Sequence, residues 1–196
     1  MGAEGRRACG QGLAGIVERL LDLDANPVLT DRDGNTPLIL AIVHGHAAAA
    51  EKLLSQKSQL AALDVQSAAG LRSAIMRASE KGMVAMVEKL LGMGAKVGLK
   101  DKYGKIALIL ALENTHEAVA EILLPQTAQA GALDVQGTGH LDRKSALVIS
   151  SKLGLSSSAG KLLRLHANAK LKDSQGKTAL DLARENRHEA CVSLLA

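Results

Sequence analysis

Asp31-Arg-Asp-Gly-Asn-Thr-Pro-Leu-Ile-Leu-Ala41 is followed by Ile42-Val-His-Gly-His46, and the same words return twice. Asp101-Lys-Tyr-Gly-Lys-Ile-Ala-Leu-Ile-Leu-Ala111 precedes His116, and Asp173-Ser-Gln-Gly-Lys-Thr-Ala-Leu-Asp-Leu-Ala183 precedes His188. Two weaker copies fit between them, Ser73-Ala-Ile-Met-Arg-Ala78 and Ser145-Ala-Leu-Val-Ile-Ser150. With Thr36, Ser73, Ile106, Ser145 and Thr178 equivalent, the spacings are 37, 33, 39 and 33. The leucines at 20, 53, 90, 123, 162 and 195 keep the same beat, at 33, 37, 33, 39 and 33. A fixed period of this length is the mark of a stacked repeat, not of one globular core.

Each period reads as two short helices. Leu38, Ala41 and Ile42 share one face of the first. Thr36 is placed to cap its start, with Pro37 at the first helical position, where a missing N–H costs nothing. Val87, Leu90 and Leu91 form the matching stripe of a second helix. Gly45, Gly82 and Gly154 fall between the two helices, and Gly94 falls just past the second. In the first period, Gly5, Gly10 and two arginines weaken the first helix, which is expected to fray. Its second helix, from Gly12 to Asp22, keeps a stripe at Ile16, Val17, Leu20 and Leu21.

These residues resemble the ankyrin repeat. Thr36-Pro37-Leu38-Ile39-Leu40-Ala41, Gly45-His46 and Gly94-Ala95 match its signature. The departures are that the signature Pro is present in one copy alone, at 37, and that Ile, Met, Val or Asp replaces the signature His. The fold class implied is all-α, an ankyrin-repeat helical solenoid with short β-turn or hairpin fingers. One array is expected over 1–196, with repeats at about 1–30, 31–67, 68–100, 101–139, 140–172 and 173–196. The extra residues of the long periods are expected in enlarged loops at about 55–71 and 125–143, which share the words Gln-x-x-Gln-x-x-Ala-Leu-Asp-Val-Gln. Such loops are either inert insertions or fingers that touch a partner. Apolar ends on the first and last repeats would suit a piece of a longer protein.

Composition narrows the function classes. Apolar residues make up 47% of the 196, yet there is no Trp or Phe and one Tyr, Tyr103. Ala, Leu, Ile, Val and Met suit thin layers of closely packed helices. A net charge of +4 favours an acidic partner. Without aromatic platforms or an Arg stripe, nucleic-acid binding is not expected. No apolar run, such as Leu38 to Val43, is long enough to cross a membrane, and no signal peptide is expected. Two cysteines at opposite ends, Cys9 and Cys191, suit a reducing, intracellular and cytoplasmic setting.

Chemistry is not indicated. Gly10-Gln-Gly-Leu-Ala-Gly15 matches a dinucleotide fingerprint by letters but lacks the strand that motif needs. His44 and His46 are two apart, and on a helix such residues diverge. Cys191 aligns with Val119 and Met86 and reads as a core position. No catalytic, cofactor or metal site is expected.

The resemblance implies a concave partner-binding surface made of finger tips and the exposed face of the first helices. Those positions are Arg32, Asp33, Asn35, Val43 and His44, then Arg72, Glu80 and Lys81. Lys102, Tyr103, Lys105, Glu113 and Asn114 follow, then Lys144, Lys152 and Leu153, and last Ser174, Gln175, Lys177, Glu185 and Asn186. The function implied is a protein–protein interaction scaffold. The alternative is a regulatory or targeting segment of a larger enzyme such as a protein kinase.

The first-helix alanines at 41, 78, 111 and 183 mark a close helix contact. Ala111→Leu should destabilise the fold by about 1–3 kcal/mol through overpacking. Urea unfolding checks it, and an unchanged midpoint would remove the tight contact.

Overall fold

In a computed structural model, the chain is described at residues 3–11, 14–23, 25–55, 63–138 and 143–196. Among these residues twelve helices occur and no strand. They divide between two compact units, 1–96 and 97–196.

In the first unit, α1 (Ala3–Gly10) pairs with α2 (Ala14–Asp22), α3 (Pro37–Val43) with α4 (Ala47–Leu54), and α5 (Ala74–Glu80) with α6 (Val84–Gly92). The first helices stack in order, α1 on α3 and α3 on α5, while α2 packs on α4 in a second layer. In the second unit the pairs are α7 (Ala107–Glu113) with α8 (Glu117–Gln129), α9 (Ala146–Leu153) with α10 (Ser156–Arg164), and α11 (Ala179–Glu185) with α12 (Glu189–Leu195). There α7, α9 and α11 make one layer and α8, α10 and α12 the other.

The sequence stripe supplies the core. Leu38, Ala41 and Ile42 are fully buried, as are Val87 and Leu90, and all four alanines of the close contact. In α9, packed between α7, α10 and α11, every residue from Ala146 to Ser151 is buried. Thr36 accepts a hydrogen bond from the Ile39 N–H at 3.2 Å, and Ser145 and Thr178 cap α9 and α11 in the same way.

Two expectations change. The first helix does not fray: α1 is formed. Gly5 and Ala8, three apart on one face, are buried, and their small size permits close approach to its neighbours. The second enlarged loop, placed at 125–143, starts inside a helix, because α8 runs on to Gln129. The cause can be read from the closing bond. Ala25, Ala95 and Ala167 each donate an N–H to the marker leucine five residues back, Leu20, Leu90 and Leu162. Ala132 instead donates to Thr127, four residues beyond Leu123. Four of the extra residues therefore wind one more helical turn. They do so through exposed Pro125, whose ring leaves the Glu121 carbonyl without its usual helical donor. Residues 56–62 of the first enlarged loop and 139–142 of the second lie outside the described residues, as do the side chain of Cys9 and the middle of the Gly10–Gly15 motif.

The words the two loops share hold neighbours together. Asp64 accepts the Lys96 N–H at 2.9 Å and Asp134 the Asn168 N–H at 2.8 Å, one repeat further on in each case. Gln66 donates its amide to the Leu71 carbonyl, and Gln136 donates to the carbonyls of Arg143 and Lys172.

The turn between paired helices is left-handed at every described copy: Gly45, Gly82, Thr115, Gly154 and Arg187. Gly45 has φ +75° and open space where a side chain would stand. Gly154 has φ +74°, and a Cβ there would lie 2.7 Å from Nδ1 of His188, whose Nε2 is 3.0 Å from the Lys152 carbonyl. Gly45→Ala should cost about 1–2 kcal/mol of backbone strain. Gly154→Ala should cost roughly 1 kcal/mol more, because the ring must also leave its hydrogen bond. Urea midpoints of the two variants give the comparison, and equal losses would show that His188 is not held.

Candidate functional site

Three of the fingers are built on one aspartate each. Asp31, Asp101 and Asp173 donate a backbone N–H to the carbonyl four residues on and accept the N–H of the glycine three residues on. Their side-chain Oδ1 then accepts two more backbone N–H groups at 2.8–3.0 Å: Asp33 and Asn35, Tyr103 and Lys105, Gln175 and Lys177. The turn leaves Arg32 and Asp33, Lys102 and Tyr103, and Ser174 and Gln175 exposed at the tips. Tyr103 is 48% exposed, and the Lys102 ammonium lies 4.9 Å from its ring centre. Neighbouring fingers are tied through the backbone, with Ala68 N–H on the Asp33 carbonyl and Thr138 N–H on that of Tyr103. Gly34 and Gly104 sit at these crossings, where a Cβ would come within 2.6 Å of Ala68 N or 2.7 Å of Thr138 Cγ2. Repeat three has no such aspartate, and Leu71 takes the left-handed position at φ +52°.

The expected site residues form a finger row and a helix-end row. Asn35, Arg72, Lys105, Lys144 and Lys177 close the fingers, and Val43, Glu80, Glu113, Lys152 and Glu185 stand eight residues later on the first helices. Three of these pairs are ion pairs. Arg72 holds Glu80, with Arg77 adding a contact at 3.2 Å; Lys105 holds Glu113 at 2.7 Å; Lys177 holds Glu185 at 2.6 Å. Reading one residue at a time missed this pairing, although opposite charge at a spacing of eight recurs in three repeats. The last row is His44, Lys81, Asn114, Leu153 and Asn186, all exposed. Asn114 and Asn186 turn their amides back onto the Leu110 and Leu182 carbonyls at 2.8 Å, which closes the helix ends.

In the second unit a cavity of about 230 Å³ opens beside the last two first helices, lined by Lys144, Lys152, Ser174, Gln175, Lys177 and Asn186 among others. Sequence reasoning did not separate it from the rest of the face, because its lining is drawn from two repeats 33 residues apart.

The two histidines expected to diverge do not. His44 ends α3 and His46 begins α4, so the Gly45 turn lies between them and their rings stack with centroids 6.1 Å apart. No group of three or more potential metal ligands occurs among the described residues. Cys191 is fully buried on α12, and that burial pushes its thiol pKa up. Among the described residues no helix is long and apolar enough to cross a membrane.

Comparison with known proteins gives the class of this architecture. The ankyrin-repeat family profiles match residues 33–67, 52–134 and 75–164. The chain belongs to the ankyrin-repeat family. It is similar to the mouse B-cell lymphoma 3 protein homolog, 32% identical over 177 residues, which is 89% of this chain and 38% of that protein. The chain thus spans well under half the length of that relative. Among solved structures it resembles the ankyrin repeat domain of Bcl-3, a member of the IkappaB protein family, at TM-score 0.77 and 28% identity over 96% of this chain and 81% of that one. An ankyrin repeat domain from Acinetobacter baumannii AYE superposes at TM-score 0.82 with 23% identity, covering 98% and 95%.

The Glu80 cluster predicts a pH dependence. Burial raises the Glu80 pKa, but hydrogen bonds and charge from Arg72, then Arg77, outweigh it and leave the carboxyl below its usual value. A folded-state pKa that is lowered stabilises the fold above the ordinary glutamate range and loses that stability as pH falls through the lowered value. Glu80→Gln should therefore be less stable than the wild type at neutral pH. The gap in urea midpoint should narrow as pH falls below the ordinary glutamate range and through the lowered value. A gap that stayed constant with pH would show that the charge on Glu80 contributes nothing.

Proposed function

We propose that this chain is a protein–protein interaction scaffold, and that its six repeats act as one array. It binds a partner protein through the finger tips and the exposed face of the first helices. The observation that carries this is the division of labour within repeats two, four and six. The backbone groups of the fingers are satisfied internally by a buried or half-buried aspartate, so tip side chains such as Lys102, Tyr103 and Gln175 stand on a rigid support and remain exposed. Rigid loops carrying exposed side chains suit recognition. Membership of the ankyrin-repeat family supports the same reading, as does the likeness to Bcl-3.

The chain is not an enzyme in this reading, and it works inside the cell, in the cytoplasm. The chain covers a minor share of its longer relative, which also supports a place as the binding segment of a larger protein.

Tyr103 is the best anchor on this face, since it is the one Phe, Tyr or Trp side chain in the chain and half exposed at a finger tip. Affinity capture with mass spectrometry, run in parallel on wild type and Tyr103→Ala, tests the proposal. At least one protein should be captured by wild type and reduced about tenfold by the variant, a loss of roughly 1.4 kcal/mol in binding. The unfolding midpoint should stay the same. Equal capture by both would remove Tyr103 from the site, and capture of nothing would count against the scaffold.

A further inference from the structure

Repeat four departs from its neighbours in the layer of second helices. There α2, α6 and α10 each stop two residues past their marker leucine, at Asp22, Gly92 and Arg164, whereas α8 runs six past Leu123 to Gln129. Leu124 and Thr127, both buried, hold this extra turn, and neither needs a proline between them. Pro125 nevertheless stands there, exposed, at a position that a helix interior disfavours. It forms one wall of a depression of about 290 Å³ between α8 and α10. Leu124 and Leu165 complete the apolar lining, and Glu121, Lys161 and Arg164 make the charged rim.

The charges of that rim do not cancel. Lys161 holds Glu121 at 2.6 Å, and the Ser157 hydroxyl donates to the same carboxylate oxygen at 3.1 Å. Arg164 is exposed, and among the described residues its guanidinium makes no hydrogen bond or ion pair. The depression therefore sets carbon surface beside an unpaired guanidinium. A guanidinium stacks on aromatic faces and forks onto carboxylates. A void of about 150 Å³ already holds a benzene ring, so the volume here admits a side chain as large as an indole. The chain itself has no Phe or Trp to fill it.

We propose that the extra turn of α8 builds a second docking site, on the layer of second helices: an aromatic side chain of a partner protein seats on Leu124, Pro125 and Leu165, and an acidic residue beside it in the partner pairs with Arg164. The ring fills the apolar lining, and the carboxylate fixes its orientation. This goes beyond the scaffold reading, which concerns the fingers and the first helices, and it gives the lengthened repeat a use on the other layer.

The test uses the full chain and a short capped peptide with one tryptophan between two aspartates. The chain lacks Trp, so indole fluorescence of the peptide reads binding directly, and backbone NMR shifts of Gln126 and Leu165 read the place. Binding should saturate and move those two resonances. Alanine in place of the peptide's tryptophan, or lysines in place of its aspartates, should weaken binding at least about tenfold. Arg164→Glu should weaken it as much. Arg184→Glu makes the same charge change on exposed α11 in the other layer, and salt screening should hold its effect below about twofold. Pro125→Ala restores a helical N–H and should raise the unfolding midpoint while weakening peptide binding at least about threefold. Binding unchanged by Pro125→Ala or Arg164→Glu would overturn the proposal. So would equal weakening by Arg164→Glu and Arg184→Glu, or equal binding of the alanine peptide. Dimerisation on light scattering that is lost in Pro125→Ala, with no peptide binding, would give the depression to a second copy of the chain and overturn it as well.

Discussion

Every helix in this chain has between 7 and 13 residues among those described, near or below the length at which an isolated helix holds together in water. Each also buries one side against a neighbouring helix: α2 through Val17 and Leu21, α6 through Met86, Val87 and Leu90. The stripe of α9 disappears from solvent because α7, α10 and α11 surround it, and none of those contacts is with a distant part of the chain. Burial against the adjoining repeat is thus the source of stability, and it is shared along each unit rather than concentrated in one centre. The absence of Trp and Phe follows from the same constraint. Layers joined at alanine contacts such as Ala111 and Ala183 have no room for a ring.

Polar residues then fix what the apolar stripe leaves free. The stripe sets which helices meet but says little about how the connecting fingers stand. Asp31, Asp101 and Asp173 solve that locally, each by satisfying backbone N–H groups that would otherwise need water. Asp64 and Asp134 solve it between repeats. Within the duplicated loop words, Asp64, Gln66, Asp134 and Gln136 thus act as fasteners.

Once the backbone is satisfied, the residues at the finger tips and helix ends are at liberty to vary. Three of the five finger-to-helix positions bind a base to an acid, one is Asn with Val, and one is Lys with Lys. The first kind stiffens the repeat with a partly exposed ion pair, of modest worth at such sites. The last kind forms no such pair between its finger and its helix.

The repeat period, the two-helix unit, the capping role of Thr36 and the buried alanines were legible in the sequence. All depend on spacing along the chain and on the size of single side chains, and both can be counted. Four features were not. The helical turn through Pro125 was hidden because a proline inside a helix contradicts its propensity, and only packing of Leu124 and Thr127 overrides it. The stacking of His44 on His46 was hidden because it depends on a left-handed Gly45. The order in α1 was hidden because its glycine is favourable only once a neighbour lies against it. The cavity at Lys144 and Lys152 was hidden because its walls come from two repeats. Sequence alone therefore determined the unit and its period, which are local. The tertiary structure decided which charges meet, because that depends on distances across repeats that no single repeat encodes.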